Sequence, residues 1–306
     1  HPRGESKTSM STDGMRIEAY QQAISAQFPD LQIRSISFFR EGWANRLCLV
    51  NNDLIFRFPV DASSEQQLLL EIRLLSVLAP ELPLPIPNYR YVAPASDAYP
   101  HAFAGHPLIP GASYPRAPEA LRQATWWRPA VGDFLSALHG IPIGKVATVG
   151  LQGYLTAEAW RDALAQKHGP YKEHVFPLMP TAQRPAVRRY LSEAIDDERM
   201  ISFSPVVIHQ DFGFHNVLVD LAGERVTGVV DFGSCSIGDP VVDISPEIRP
   251  YYGGEIDSGW EFRRDYYIHT SALEDLLYIV TCGHAIPDEE AVRQRKLAEI
   301  SRIWSA

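Results

Sequence analysis

Two polar clusters in one stretch, VIHQDFGFHNVLVDLAGERVTGVVDFGSCSIGDP over residues 207–240, carry the chemistry of this chain. His209, Asp211 and Asn216 follow one apolar run, and Asp231-Phe232-Gly233 follows another. Polar side chains where an extended run breaks into a turn are carried out of a scaffold into a cleft. At this spacing, an Asp positions or deprotonates an attacking hydroxyl and the Asn binds magnesium, while the Asp before Phe-Gly holds magnesium against nucleotide phosphates. Asp211 is therefore the candidate catalytic residue, and Asn216 and Asp231 are the candidate metal ligands. At ordinary residue frequencies the two clusters should coincide by chance in on the order of one chain in ten thousand.

Positioning these residues requires a hairpin of two short strands, NVLVD and RVTGVVDF, that returns Asp231 to the end where Asp211 lies. Upstream, SISFF, RLCLV and DLIFRFP read as an antiparallel set, joined by REGWAN in the first connection. Asp13 is a plausible cap for a first helix in which Ile17, Tyr20, Ile24 and Phe28 recur at helical spacing. SSEQQLLLEIRLLSVLAPELP reads as a helix opened by a serine, with Leu68, Leu75 and Leu78 buried. NYRYVA and FAGHPLIPG read as further strands. After Gly111 helical periodicity dominates, in PEALRQATWWRPAVGDFLSALHGI, AEAWRDALAQKH, SALEDLLYIVTCG and EEAVRQRKLAEISRIW. The expected organisation is a leader over 1–14, disordered or left by cloning, a β-rich nucleotide-binding lobe with its hinge over 15–111, and a catalytic and substrate-binding lobe over 112–306.

A phosphate-binding cation on a strand, paired with a helix Glu, completes such a site. No lysine occurs between Lys7 and Lys145, so Arg57 in LIFRFP is the candidate and Glu71 its partner. The formal net charge of -9 argues against a nucleic-acid partner, which clustered Lys and Arg would have to hold. It favours a cationic or small neutral one. Three cysteines, far apart, suggest neither a disulfide framework nor a zinc site and point to a cytoplasmic setting. The most apolar region, Leu68 to Pro87, is broken by Glu71, Arg73 and Glu81, so no membrane partner is expected.

The chain resembles the aminoglycoside phosphotransferase family, which shares the protein-kinase-like fold. The resemblance spans residues 35 to 285 and rests on EGWANRLCLV, IFRFP, EIRLLSVLAPELPLPIPN, LIPG, VIHQDFGFHNVLVD and GVVDFGSCSIGDPVVD. It implies an α+β, two-lobed fold with a β-rich N-lobe carrying one helix and a mostly helical C-lobe. It also implies ATP or GTP with Mg2+ as cofactors, and a monomer. Gly42 and Asn45 would fall in the loop over the triphosphate, and the backbone from Pro107 to Ile109 would bind the base. Asp239 and Asp243 resemble structural carboxylates. Arg57 departs from the lysine often found there, and Asp239 follows Asp231 too soon for a protein-kinase activation segment. The substrate is therefore expected to be small.

Aminoglycosides are polycations, and Glu247, Glu255, Asp257, Glu261, Asp265, Glu274 and Asp275 follow Asp243. Among these Glu247 and Glu261 are the candidate substrate residues, with Trp260 to stack on a sugar ring. Phe232 stands where macrolide kinases of the superfamily tend to carry Trp, and DFGSCSIGDP looks nearer to the 2''-type aminoglycoside enzymes. Macrolides, peptide antibiotics, choline, homoserine and methylthioribose are alternative acceptors within the superfamily. Two readings from other classes are an iron oxygenase using His209, Asp211 and a distant His269 or His284, and a non-catalytic nucleotide-binding module.

Overall fold

The computed structural model describes residues 12–41, 45–113, 124–282 and 288–304. Within it the chain divides into two compact units, one formed by residues up to Ala79 with Pro85–Pro110, the other by Pro80–Leu84 with Gly111 onward.

The first unit is built on a five-stranded antiparallel sheet of β1 (Ile36–Glu41), β2 (Asn45–Val50), β3 (Leu54–Pro59), β4 (Tyr91–Ala93) and β5 (Phe103–Pro107), in the order β1-β2-β3-β5-β4. The period-two alternation of a strand sorts β3. Phe56 and Phe58 join a buried aromatic cluster with Tyr20 and Ile24 of helix α1 (Thr12–Gln27). The rings of Tyr20 and Phe58 stack at 4.3 Å. Arg57, between those two phenylalanines, meets helix α2 (Ala62–Leu78) instead. Leu68, Leu75 and Leu78 of α2 are buried as the periodicity predicts. The helix opens on Asp61, whose carboxylate accepts the Ser64 N–H, and not on a serine. An aspartate at the cap answers an unpaired first-turn amide and also suits the helix dipole. Helix α1 begins at Thr12, so Asp13 lies inside it and residues 12–14 of the expected leader are helical; residues 1–11 lie outside the described residues. The unit thus holds two helices rather than one, because the aromatic face of the sheet needs a cover.

In the second unit, β6 (Ala112–Ser113), β8 (Val217–Asp220) and β9 (Arg225–Val229) form one sheet, and β7 (Val206–Ile208) pairs with β10 (Ser236–Gly238) in another. Gly111, at φ +134, precedes β6, and an added Cβ would lie 3.0 Å from the Val219 carbonyl oxygen. Only glycine adopts that backbone so close to a strand. The longer helices of this unit are α3 (Trp127–His139), α4 (Ala157–Gln166), α5 (Arg184–Asp196), α6 (Trp260–Thr281) and α7 (Glu289–Ile303). Tyr266, Leu273 and Leu276 of α6 pack with Trp160, Leu191 and Ile300 in the main core. Residues 80–84 cluster with this unit, where Glu81 pairs with Lys145.

One buried charge organises the turn after β10. Arg263 of α6 is fully buried, with its Nε 2.6 Å from Asp239 and its Nη2 2.7 Å from Asp257. Its Nη1 donates to the Arg199 carbonyl and its plane lies over Phe203. Asp239 also accepts from Tyr267 and from the Val241 N–H. Removing one partner of a fully buried pair strands the other charge in an apolar surrounding. Arg263→Met should therefore destabilise the protein by about 3–5 kcal/mol, measured by urea denaturation; a change within experimental error would show that Asp239 needs no counter-ion.

Candidate active site

The predicted residues fall into two groups, one in each unit. In the first unit, the Arg57 Nη1 lies 2.7 and 2.8 Å from the two carboxylate oxygens of Glu71. Glu71 is buried, in keeping with a helix residue that faces the sheet. The pairing expected from the order of elements is thus present. A third member was not legible: Tyr89 Oη accepts from Arg57 Nη1 at 2.9 Å and donates to Glu71 Oε1 at 3.2 Å. Burial pushes the Tyr89 phenol far up, so it serves as a neutral hydroxyl. Nothing in NYRYVA distinguishes this tyrosine from Tyr91, which joins the aromatic cluster on the other face.

Gly42 lies outside the described residues. Asn45 is the first residue of β2, opposite Pro59, and its buried Oδ1 has no hydrogen-bond partner. Of the Pro107–Ile109 backbone, the Pro107 carbonyl lies 2.8 Å from the His106 Nδ1 and the Leu108 N–H bonds to Asp53. Burial lowers the His106 imidazole to about 4, so it is neutral near pH 7. Among the described residues the Ile109 N–H has no hydrogen-bond partner.

In the second unit, β7 delivers His209 and Asp211, and the β8–β9 hairpin delivers Asn216 and Asp231. The register Val217↔Val229 and a bond from the Val230 N–H to the Asn216 carbonyl, 2.9 Å, put Asn216 beside the residue preceding Asp231. Asn216 is fully buried; its Nδ2 donates to the Asp211 carbonyl at 3.0 Å, while its Oδ1 has no partner. The Asp211 carboxylate is half-exposed, with the His215 Nε2 at 3.7 Å. Burial would raise its pKa, but His215, His209 and the Asn216 amide outweigh that and hold the carboxyl below its ordinary value. Asp211 is accordingly ionised at neutral pH, as a proton acceptor must be. Asp231 is exposed and has a left-handed backbone, φ 71.

His209 is scaffold. Its ring is fully buried, 4.8 Å from that of Phe232, and its Nε2 donates to the Val230 carbonyl at 3.2 Å. Asp243, fully enclosed, accepts the His209 N–H at 2.6 Å and the Gln210 N–H at 2.8 Å. The His139 Nε2 donates to the same carboxylate at 3.2 Å, leaving Nδ1 to accept from the Tyr252 hydroxyl at 2.9 Å. His139 was not foreseen; its only mark in the sequence is its place at the apolar end of LSALHG.

The structure corrects the expected substrate residues. Trp260 is 1% exposed, with its ring 5.9 Å from Tyr252, so it is a core residue with no face for a sugar. Glu261 pairs with Arg249 and Arg264. Asp257, Asp265, Glu274 and Asp275 are likewise engaged, with Arg263, Arg264, Lys167 and Lys296. Glu247 is half-buried, and its carboxylate makes no ion pair or hydrogen bond among the described residues. The iron-site alternative is not met either: His269 donates to the Asp265 carbonyl within α6, and His284 lies outside the described residues. Among the described residues no three His, Cys, Asp or Glu side chains are gathered as a metal cluster.

Residues 35–266 match the model of the phosphotransferase enzyme family. No curated protein matches the chain. Among solved structures, the chain is similar to the GDP complex of aminoglycoside 2'-phosphotransferase-IIIa, with a TM-score of 0.82 and 21% identity over 94% of this chain and 98% of that one. It is similar to the GDP and kanamycin complex of APH(2")-IIIa, at 0.75 and 23% over 93% and 95%. It is also similar to the macrolide 2'-phosphotransferase MphH from Brachybacterium faecium, at 0.72 and 20% over 92% and 97%. The fold is kinase-like.

The buried Arg57–Glu71–Tyr89 set generates a stability test. Glu71→Ala, which strands a guanidinium that is 11% exposed, should cost about 3–5 kcal/mol. Tyr89→Phe, which deletes one hydroxyl shared between charged groups, should cost about 1.5–3 kcal/mol. Denaturant unfolding of both variants measures this; a Tyr89→Phe protein as stable as the parent would remove Tyr89 from the set.

Proposed function

The chain belongs to the phosphotransferase enzyme family, and on that premise we propose that it transfers the γ-phosphate of ATP or GTP to a hydroxyl of an aminoglycoside, conferring resistance, as a cytoplasmic monomer. The observation that carries the transfer site is Asn216: its amide is given to Asp211, and its carbonyl oxygen is buried with no partner next to the strand end bearing Asp231. An unpaired buried oxygen is costly unless something binds it. A hard amide oxygen and a nearby carboxylate suit Mg2+, which takes one or two protein oxygens and fills its shell with phosphate and water. Asn216 and Asp231 would hold the ion, which when bound neutralises charge on the phosphate oxygens. Arg57, steadied by Glu71 and Tyr89, would hold further phosphate oxygens, and the Ile109 N–H would donate to the base.

Asp211 orients the acceptor hydroxyl. As the acceptor oxygen bonds to the γ-phosphorus, the bond to the β–γ bridging oxygen breaks, the nucleoside diphosphate departs with that electron pair, and the Asp211 carboxylate takes the hydroxyl proton. Positioning and charge neutralisation dominate such a loose transition state, so the proton moves late.

The aminoglycoside assignment is supported by the acidic balance of the chain and by Glu247, a carboxylate without a partner among the described residues. Aminoglycosides, macrolides, peptide antibiotics, choline and homoserine, each incubated with Mg2+ and either nucleotide, provide the test. Turnover of an aminoglycoside is expected; turnover confined to a macrolide or an uncharged metabolite would overturn the substrate and keep the kinase.

Asp211→Asn should lower turnover by about 10²–10⁴-fold with little change in nucleotide affinity. Asp231→Asn should weaken magnesium-dependent nucleotide binding, and Arg57→Ala should weaken nucleotide binding, with Arg57→Lys retaining part of the activity. Steady-state kinetics and nucleotide titration measure these; full activity in Asp211→Asn would refute the mechanism.

A further inference from the structure

We propose that Gln210 and Ser236 form a strap that fixes the catalytic loop just ahead of Asp211, so that both are positioning residues for phosphoryl transfer. The inference rests on the role of Asp211 given above.

Gln210 has φ 68, a left-handed backbone at a residue with a full side chain. Glycine adopts that conformation without steric cost, and a long side chain does not. Asp243 accounts for the backbone, since its two oxygens take the N–H groups of His209 and Gln210. It does not account for the side chain. Gln210 Oε1 accepts from Ser236 Oγ at 2.6 Å. Ser236 opens β10 and lies opposite Ile208, the last residue of β7. The side-chain bond therefore runs diagonally from the first residue of β10 to the loop two residues past the end of β7.

The placement of that bond matters for direction. Between Asp231 and Ser236 the chain makes one turn of 3-10 helix, Phe232–Ser234, directly after the left-handed Asp231. From Ser236 the strap reaches Gln210, the residue directly before Asp211. Ser236 thus ties the segment carrying one site carboxylate to the residue preceding the other. A rotation about the Gln210 backbone would swing Asp211, and the strap opposes it. Gln210 is exposed and Ser236 half-buried, so the bond contributes little to global stability. Its consequence is geometric, and small misplacements of reacting groups are costly in rate.

The experiment compares Ser236→Ala, Gln210→Gly, the double variant, Ser236→Thr and Asp211→Asn in the full chain with Mg2+, nucleotide and an acceptor. It reads kcat, both KM values and thermal melting. Ser236→Ala and Gln210→Gly should each lower kcat by about 10- to 100-fold with nucleotide KM and melting temperature little changed. Gly keeps the left-handed turn, so its loss isolates the side chain. The double variant should be no worse than either single one, and Ser236→Thr, which keeps a hydroxyl, should retain the parental kcat. Parental kcat in Ser236→Ala, losses that multiply in the double variant, or losses that track melting would overturn the strap. If Asp211→Asn is fully active, the assignment of Asp211 fails and the strap with it; if only the strap variants are, the strap alone fails.

Discussion

A single buried carboxylate, that of Asp243, sets the geometry on which the site depends. Two consecutive backbone amides, His209 and Gln210, point at its two oxygens, and the His139 imidazole closes one side. Consecutive N–H groups can converge on one anion only if the backbone between them curls, and the left-handed Gln210 supplies that curl. A carboxylate out of water must be hydrogen-bonded to be tolerated, so it holds its donors as firmly as they hold it. The loop leading to Asp211 is therefore shaped by a residue that never touches the acceptor.

The side of the site formed by Asn216 and Asp231 is shaped differently. There the constraint is the ladder of β8 and β9, whose register brings Asn216 to the end from which Asp231 departs. His209 joins the two arrangements, with its backbone bonded to Asp243, its ring against Phe232 and its Nε2 on the Val230 carbonyl. Phe134 of α3 packs against both Phe212 and Phe232. Two left-handed residues, Gln210 and Asp231, flank this junction. Strained backbone persists where its surroundings over-determine it, and such places cluster at functional sites.

What was legible in the sequence was what depends on short-range pattern. The strands at 36–59, the β8–β9 hairpin and the Arg57–Glu71 pairing follow from period-two alternation and element order. Tyr89 and His139 were not legible, because each acts through a partner distant in sequence and neither has a spacing rule. Trp260 misled because an aromatic residue reads alike in a core and at a sugar-binding face; only burial separates them. The helix opening at Asp61 misled for a smaller reason, since an aspartate and two serines fall within four residues and all three are good caps.

The acidic residues after Asp243 show why transfer chemistry and acceptor choice are encoded so differently. Formal charge suggested a carboxylate-rich surface for a polycation, yet Asp257, Glu261, Asp265, Glu274 and Asp275 each have a cationic neighbour. A paired carboxylate attracts a ligand ammonium less, because its field is already partly cancelled. The number of carboxylates is therefore no measure of the attraction the chain offers an ammonium. The transfer machinery is written into buried bonds and strand register, which change only together. Exposed groups outside those bonds can change one at a time, and so one scaffold can serve different functions.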